Sequence, residues 1–143
     1  LSSQGYTDDD IVVLEGFSRG SANTYAVMGN DRVTPDPVFD AVISASGKYQ
    51  ADFPIFDGRS NAQIPPTMFS GIPWVLACGG KDDNPERDGC PGMTETQGWL
   101  GDHGADVLAL LQDPDVGHGA FHLSKLGLPA QALQLILDAL ADG

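Results

Sequence analysis

The sequence predicts an α/β fold, built on a mostly parallel sheet with flanking helices, and three features support this prediction. Short apolar runs alternate with stretches of helical periodicity, as in proteins whose parallel strands are joined by helices. A serine placed between two glycines follows the first apolar run. No internal repeat interrupts the alternation, and 143 residues suffice for one domain with a buried core. Residues 1–143 are therefore predicted to belong to a single domain.

Four apolar runs, at residues 11–14, 39–43, 73–78 and 106–111, are predicted to form the strands. Four parallel strands alone leave both edges of a sheet unpaired, an arrangement that stable domains avoid. The chain also lacks an initiator methionine. We therefore expect it to be the C-terminal portion of a longer product, with the first strands of the sheet missing from this chain.

Helices are predicted at residues 21–28, 94–104 and 129–140. The last is amphipathic, and its predicted core-facing stripe consists of Ala132, Leu133, Leu135, Ile136, Leu137 and Leu140. Residues 48–72, by contrast, hold three prolines and show neither helical nor strand periodicity. We expect a long loop there, which is either a functional, lid-like segment or an irregular surface excursion.

The charge of the chain is strongly acidic. Its 20 Asp and Glu side chains outnumber 7 Lys and Arg, which leaves a formal net charge of −13. Nucleic acids and anionic membranes are bound mainly through Lys and Arg, so neither is expected as a partner. Solubility is the simplest role for the excess charge.

The chain has two cysteines, Cys78 and Cys90. Neither belongs to a Cys-x-x-Cys pair and no histidine pair lies nearby, so no zinc or other metal site is predicted. Their close spacing suits a disulfide in an exported protein, and two buried free thiols are the alternative.

One short motif carries chemistry. Gly16-Phe17-Ser18-Arg19-Gly20 matches Gly-x-Ser-x-Gly in a strand–turn–helix setting, where the turn strains the serine backbone. Side chains at Gly16 and Gly20 are expected to collide with the neighbouring strand and helix. Ser18 would stand at a helix N-terminus, where the helix dipole and the Arg19 backbone N–H can stabilise an oxyanion. Ser18 is thus a predicted nucleophile, with a simple capping serine as the alternative.

A serine nucleophile needs a base, and the chain offers three histidines. His118 is preferred because it lies between glycines in the loop after the last predicted strand, where its imidazole can reach over the sheet edge. His122 could instead pack or hydrogen-bond beneath the site. His103 is expected at the surface, in a polar helix end.

The base in turn needs an orienting carboxylate, which we expect after the third predicted strand. Asp82 and Asp83 both follow the C-terminal end of that strand, where open α/β sheets place their sites. Neighbours in extended backbone point in opposite directions, so only one can face the histidine. Asp82 is preferred, Asp83 stays open, and Asp88 comes third. The chain order serine, aspartate, histidine is that of the α/β-hydrolases.

Four stretches extend this likeness: GFSRGSA at the serine, PDPVFDAVISASG after the first helix, PWVLACGGKDD at the acid and DVGHGAF at the base. Through them, most of residues 10–125 resembles serine esterases of the polyhydroxybutyrate-depolymerase and feruloyl or acetylxylan esterase kind. The resemblance implies a secreted or periplasmic carboxylic-ester hydrolase with no metal or organic cofactor. It implies a small ester, a polyester or an acylated polysaccharide as substrate.

The chain departs from this family at two points. The first strands and the loop that supplies the second oxyanion donor have no counterpart here, and a separate N-terminal chain of the same product could supply them. Arg19 is bulkier than the residue usual at its position, and is expected either to reach a substrate carboxylate or to pair with a neighbouring acid. Two other functions stay open: a serine peptidase of the prolyl-oligopeptidase type, and a non-catalytic fragment or binding module.

Overall fold

The computed structural model describes residues 10–54 and 59–142. It contains one four-stranded sheet in the order β1-β2-β3-β4, and every neighbouring pair of strands is parallel. The strands are β1 (Val13–Phe17), β2 (Ala41–Ala45), β3 (Pro73–Gly79) and β4 (Asp106–Asp113). The predicted α/β class with a parallel sheet and flanking helices is therefore confirmed.

Several strand ends differ from the prediction. β1 starts at Val13 rather than at residue 11 and continues to Phe17, and β4 continues to Asp113. β2 lies two residues further along the chain than the predicted run at 39–43. The added residues are held by backbone pairing with the neighbouring strand, which the hydrophobic pattern of a sequence does not report.

Two helices cover each face of the sheet. α1 (Arg19–Asp31) and α2 (Cys90–Asp102) share an apolar core with one face, centred on the fully buried Trp74. α3 (Ala120–Leu123) and α4 (Leu128–Asp142) share a second core with the other face. The sheet therefore lies between two helical layers, and every residue of β2 and β3 is buried.

The helices are longer than the predicted ranges 21–28 and 94–104. α1 begins directly after Ser18. α2 begins at Cys90 with Pro91 in its first turn, where a missing N–H removes no helical hydrogen bond. The four-residue α3 was not predicted, because a single turn is too short to show helical periodicity.

Only part of the predicted stripe of α4 faces the core. Leu128, Ala132 and Ile136 are buried against the sheet, whereas Leu133 and Leu137 are 46% and 47% exposed. A spacing of four residues keeps the buried three on one side of the helix. The prediction that Leu133 and Leu137 face inward is therefore wrong.

The described part of residues 48–72 packs onto the domain through a few buried side chains, while most of its residues are exposed or half-buried. It contains a short 3-10 helix, Asn61–Gln63, and buries Ile64 and Phe69 in the core shared with α1 and α2. Residues 55–58 lie outside the described residues, so a lid-like role for the segment stays a prediction.

A disulfide joins Cys78, near the end of β3, to Cys90 at the start of α2. It closes the loop of residues 79–89, which contains all three candidate acids. Within the two described ranges, no helix is long and apolar enough to cross a membrane.

Candidate active site

Ser18 occupies the turn between β1 and α1 with φ of 58° and ψ of −118°. A positive φ is uncommon for a residue with a side chain, and it persists only where the surroundings hold it, often at functional sites. The Ser18 N–H donates to the Ala45 carbonyl of β2 at 2.8 Å, and the Ser18 carbonyl accepts from the Ala22 N–H at 3.1 Å. The serine side chain makes no capping bond, so Ser18 does not play the simple capping role.

The two glycines of the motif have different roles. A Cβ added at Gly16 would lie 2.4 Å from the Gly20 carbonyl oxygen and 2.6 Å from Thr24 Cγ2, so only glycine fits there. A Cβ added at Gly20 would meet no described atom within 4 Å. The expectation that a side chain at Gly20 would collide is therefore wrong, because it is the Gly20 backbone that approaches β1.

The turn that holds Ser18 packs against Gly47, which lies just after β2. This contact was not predicted from the sequence. A Cβ at Gly47 would lie 2.1 Å from the Ser18 carbonyl oxygen. The Ser21 hydroxyl and the Tyr25 hydroxyl both donate to the Gly47 carbonyl, at 2.7 and 2.9 Å. Burial raises the pKa of Tyr25 to about 12, so its phenol keeps the proton it donates. The available signal was the Ser-Gly pair that ends the second strand.

The structure brings Ser18, His118 and Asp82 together. His118 Nε2 lies 2.8 Å from Ser18 Oγ, and His118 Nδ1 lies 2.8 Å from Asp82 Oδ2. With Nδ1–H donating to the carboxylate, Nε2 is free to accept the serine proton. The Asp82 side chain is only 2% exposed, whereas that of His118 is 39% exposed. The imidazole can therefore meet a substrate while its carboxylate partner stays shielded.

The three candidate acids have distinct surroundings. Asp82 faces the imidazole through Oδ2, and its Oδ1 accepts the Asn84 N–H at 2.9 Å. Asp83 is exposed and lies in a bend. Asp88 is buried and accepts two hydrogen bonds from the Arg87 guanidinium, at 3.0 and 2.7 Å. Of the three, Asp82 alone is positioned to orient the histidine.

Asp82, Asp88 and His118 have potential ligand atoms within 4.8 Å of one another. Each of the three side chains already has a partner, however. Arg87 balances the charge of Asp88, and the imidazole bonds to Asp82. The three side chains thus form a hydrogen-bonded pair, Asp82 and His118, beside an ion pair, Asp88 and Arg87. This arrangement is held together without a bound cation.

The loop that carries the acid and the loop that carries the histidine pack against each other. The Lys81 N–H donates to the Val116 carbonyl at 3.0 Å. A Cβ at Gly79 would lie 2.0 Å from the Gly117 carbonyl oxygen, so glycine permits this close approach. The direct contact between the two backbones sets the distance between carboxylate and imidazole.

The other two histidines lie elsewhere. His122 Nε2 is 3.2 Å from Glu15 Oε1, and its ring stands edge-on to Phe17, whose ring also lies 5.0 Å from that of His118. His103 is half-buried, with Nδ1 2.7 Å from the Trp99 carbonyl oxygen. The expected surface position of His103 is therefore only partly right, because its ring packs on Trp99.

A cavity of about 180 Å³ opens beside the serine. It is lined by Ser18, Arg19, Ala22, Gln50, Phe53, Arg87 and Asp88. Arg19 is exposed and makes no hydrogen bond or ion pair with any residue in the described ranges. Pairing with a neighbouring acid, one of its two expected roles, is thus not found in the described part of the chain.

No protein-family model matches the chain, and no curated protein is significantly similar to it.

Proposed function

We propose that this chain is the nucleophile-bearing part of a serine hydrolase that cleaves carboxylic esters. The observation that supports this best is the continuous hydrogen-bonded series from Ser18 Oγ through His118 to Asp82, with two bonds of 2.8 Å. A strained serine at a helix N-terminus, a base within hydrogen-bond reach and a buried acid are the parts that nucleophilic catalysis requires.

The reaction proceeds in two steps. His118 takes the Ser18 proton as Oγ attacks the ester carbonyl carbon, and the imidazolium then protonates the departing alcohol. An acyl-enzyme remains on Ser18. Water, deprotonated by His118, attacks that acyl group and releases the carboxylic acid, and Ser18 regains its proton. Asp82 holds Nδ1–H throughout and stabilises the imidazolium.

Negative charge develops on the carbonyl oxygen in both steps. The first N–H groups of a helix have no intrahelical partner and carry partial positive charge. The backbone N–H of Arg19, the first residue of α1, is our choice for one oxyanion donor. A second donor would come from a segment outside the described residues.

The free edge of β1 supports a larger domain. Among described residues β1 pairs only with β2, and the preceding Ile11 and Val12 are 46% and 37% exposed. Exposed apolar residues beside an unpaired edge favour coverage by further strands. We propose that additional strands of the same hydrolase sheet, on this polypeptide or on a separate N-terminal chain, cover this edge.

Secretion is part of the proposal, because disulfides such as Cys78–Cys90 persist in oxidising compartments. The preference for esters comes from the family resemblance. A peptidase would cleave an amide that matches the best ester at a comparable rate, whereas an esterase would leave it intact.

A fluorophosphonate probe tests the central claim, because it reacts with a serine only when a base activates that serine. We expect an adduct on Ser18, located by peptide mass spectrometry, and loss of several orders of magnitude in esterase activity in Ser18→Ala. The matched control is Ser70→Ala, which removes an exposed hydroxyl that makes no described hydrogen bond. Near-normal activity in Ser18→Ala would refute the proposal.

A further inference from the structure

The cavity beside Ser18 is cationic in an otherwise acidic protein. The formal net charge of the chain is −13, with only 7 Lys and Arg in total. Two of these cations, Arg19 and Arg87, line the cavity of about 180 Å³. Positive side chains beside the candidate nucleophile of a negatively charged protein favour a ligand that carries negative charge.

The two guanidinium groups are not equivalent. Arg87 already donates two hydrogen bonds to Asp88, which also lines the cavity, so this pair adds no net charge. Arg19 has no hydrogen-bonding or ionic partner in the described part of the chain. Among the described lining residues, one positive charge is therefore left unbalanced, on a side chain whose planar donors match a carboxylate.

The residues that line the cavity indicate which part of an ester it receives. Its lining includes Ser18 and Arg19 but not His118. The leaving alcohol has to stand within reach of His118 Nε2, since that nitrogen protonates it. We therefore assign the acyl group, and not the alcohol, to this cavity.

The remaining lining suits a short chain. Ala22 and Phe53 offer apolar surface for methylene groups, and Gln50 offers an amide. The volume of about 180 Å³ is below the roughly 300–1,000 Å³ of sites for drug-sized ligands, which favours a short acyl chain.

From these observations, and resting on the esterase function proposed above, we infer that Arg19 binds the free carboxylate of the acyl group. The preferred substrates are half-esters of short dicarboxylic acids. The reaction is the two-step acyl transfer already given, and it releases an alcohol and a dicarboxylate. Arg19 acts here through its side chain as a specificity residue, apart from the role of its backbone N–H.

The test compares two 4-methylumbelliferyl esters of nearly equal shape, the hemiglutarate and the 5-methylhexanoate, after subtraction of spontaneous hydrolysis. The measured quantity is the ratio of their kcat/KM values. We expect the anionic ester to be preferred, and Arg19→Gln to lower the ratio by about tenfold. Arg19→Lys should restore part of the preference. Lys125→Gln, which removes an exposed cation outside this cavity, should leave the ratio unchanged.

Two results would overturn the inference. One is an unchanged ratio in Arg19→Gln, and if both esters lose activity equally, Arg19 acts at the oxyanion rather than at the substrate carboxylate. The other is a preference for an ester with its carboxylate in the alcohol part. Labelling of Ser18 by the fluorophosphonate keeps the two claims separate: a labelled serine without the preference refutes this inference alone, whereas an unlabelled serine refutes the esterase function as well.

Discussion

β1 and β3 each supply one half of the candidate site, and the two strands are held very differently. β3 lies inside the sheet between β2 and β4, and all of its residues are buried. β1 lies at an edge of the described sheet, and of its five residues only Gly16 is buried. The candidate acid thus follows a central strand, whereas the candidate nucleophile follows a strand at the edge of the described sheet.

The difference shows two ways of fixing a reactive side chain. Asp82 is placed by long-range constraints, namely a disulfide across its loop and backbone contacts with the loop of His118. Ser18 is placed by close packing of backbone on backbone, at Gly16 and Gly47. The acid–base half should therefore be sensitive to its cross-links, and the nucleophile half to single added methyl groups.

The largest expected effect is on the acid–base half. Asp82→Asn should lower kcat by about 10⁴, because an amide cannot hold the imidazole in the required tautomer or stabilise its charged form. Asp83→Asn is the matched control and should change kcat little, since Asp83 is exposed. Steady-state kinetics on one ester decides between them, and equal losses in both variants would contradict the assignment of the acid.

The next effect concerns the nucleophile half. Gly16→Ala should destabilise the fold by about 3 kcal/mol or more, because the new methyl group meets the Gly20 carbonyl oxygen at 2.4 Å. Gly20→Ala should be neutral or stabilising by up to about 1 kcal/mol, because alanine is favoured over glycine in a helix and has room there. Urea unfolding of both variants measures this, and equal destabilisation would show that the two glycines are equivalent after all.

Loss of the Cys78–Cys90 disulfide should lower the free energy of unfolding somewhat less than Gly16→Ala does. Replacing both Cys78 and Cys90 by serine should cost about 2–3 kcal/mol of folding free energy, the range expected for a short closed loop. Urea unfolding of the oxidised protein and the double variant gives the difference. Because the loop carries Asp82, activity should also fall while fluorophosphonate labelling of Ser18 slows. Unchanged labelling would mean that backbone contacts alone position the acid.

The smallest expected effect is on the pH dependence of folding stability, through Asp113 at the end of β4. Hydrogen bonds from the Ser124 hydroxyl and the Asp115 N–H hold the pKa of Asp113 below its ordinary value of 3.8. A depressed pKa contributes stability that is present above pH 3.8 and is lost as the pH falls through the lower, folded-state value. Asp113→Asn should remove this loss of folding stability at low pH. Ser124→Ala should reduce it, and an NMR titration of the Asp113 carboxyl checks the direction.

Sequence reasoning predicted the parallel sheet because apolar strand residues and helical periodicity are local patterns. It also identified the three side chains that meet, because the carboxyl ends of parallel strands lie at one edge. It missed the packing of Gly47 under Ser18, since that contact joins segments 29 residues apart in the chain. It misjudged the surroundings of Gly20 and of the outer leucines of α4. The type of a small or apolar residue does not indicate which atoms it faces in the folded protein.

By itself, then, the sequence determined the fold class, the order of the candidate catalytic residues and which strands they follow. Only the tertiary structure decided between Asp82 and Asp83, paired Cys78 with Cys90, and left Arg19 without a partner in the described part of the chain. The physical reason is the distance along the chain over which each interaction acts. Strand and turn preferences act over a few neighbouring residues, whereas a hydrogen bond, a disulfide and a cavity depend on distances between distant segments.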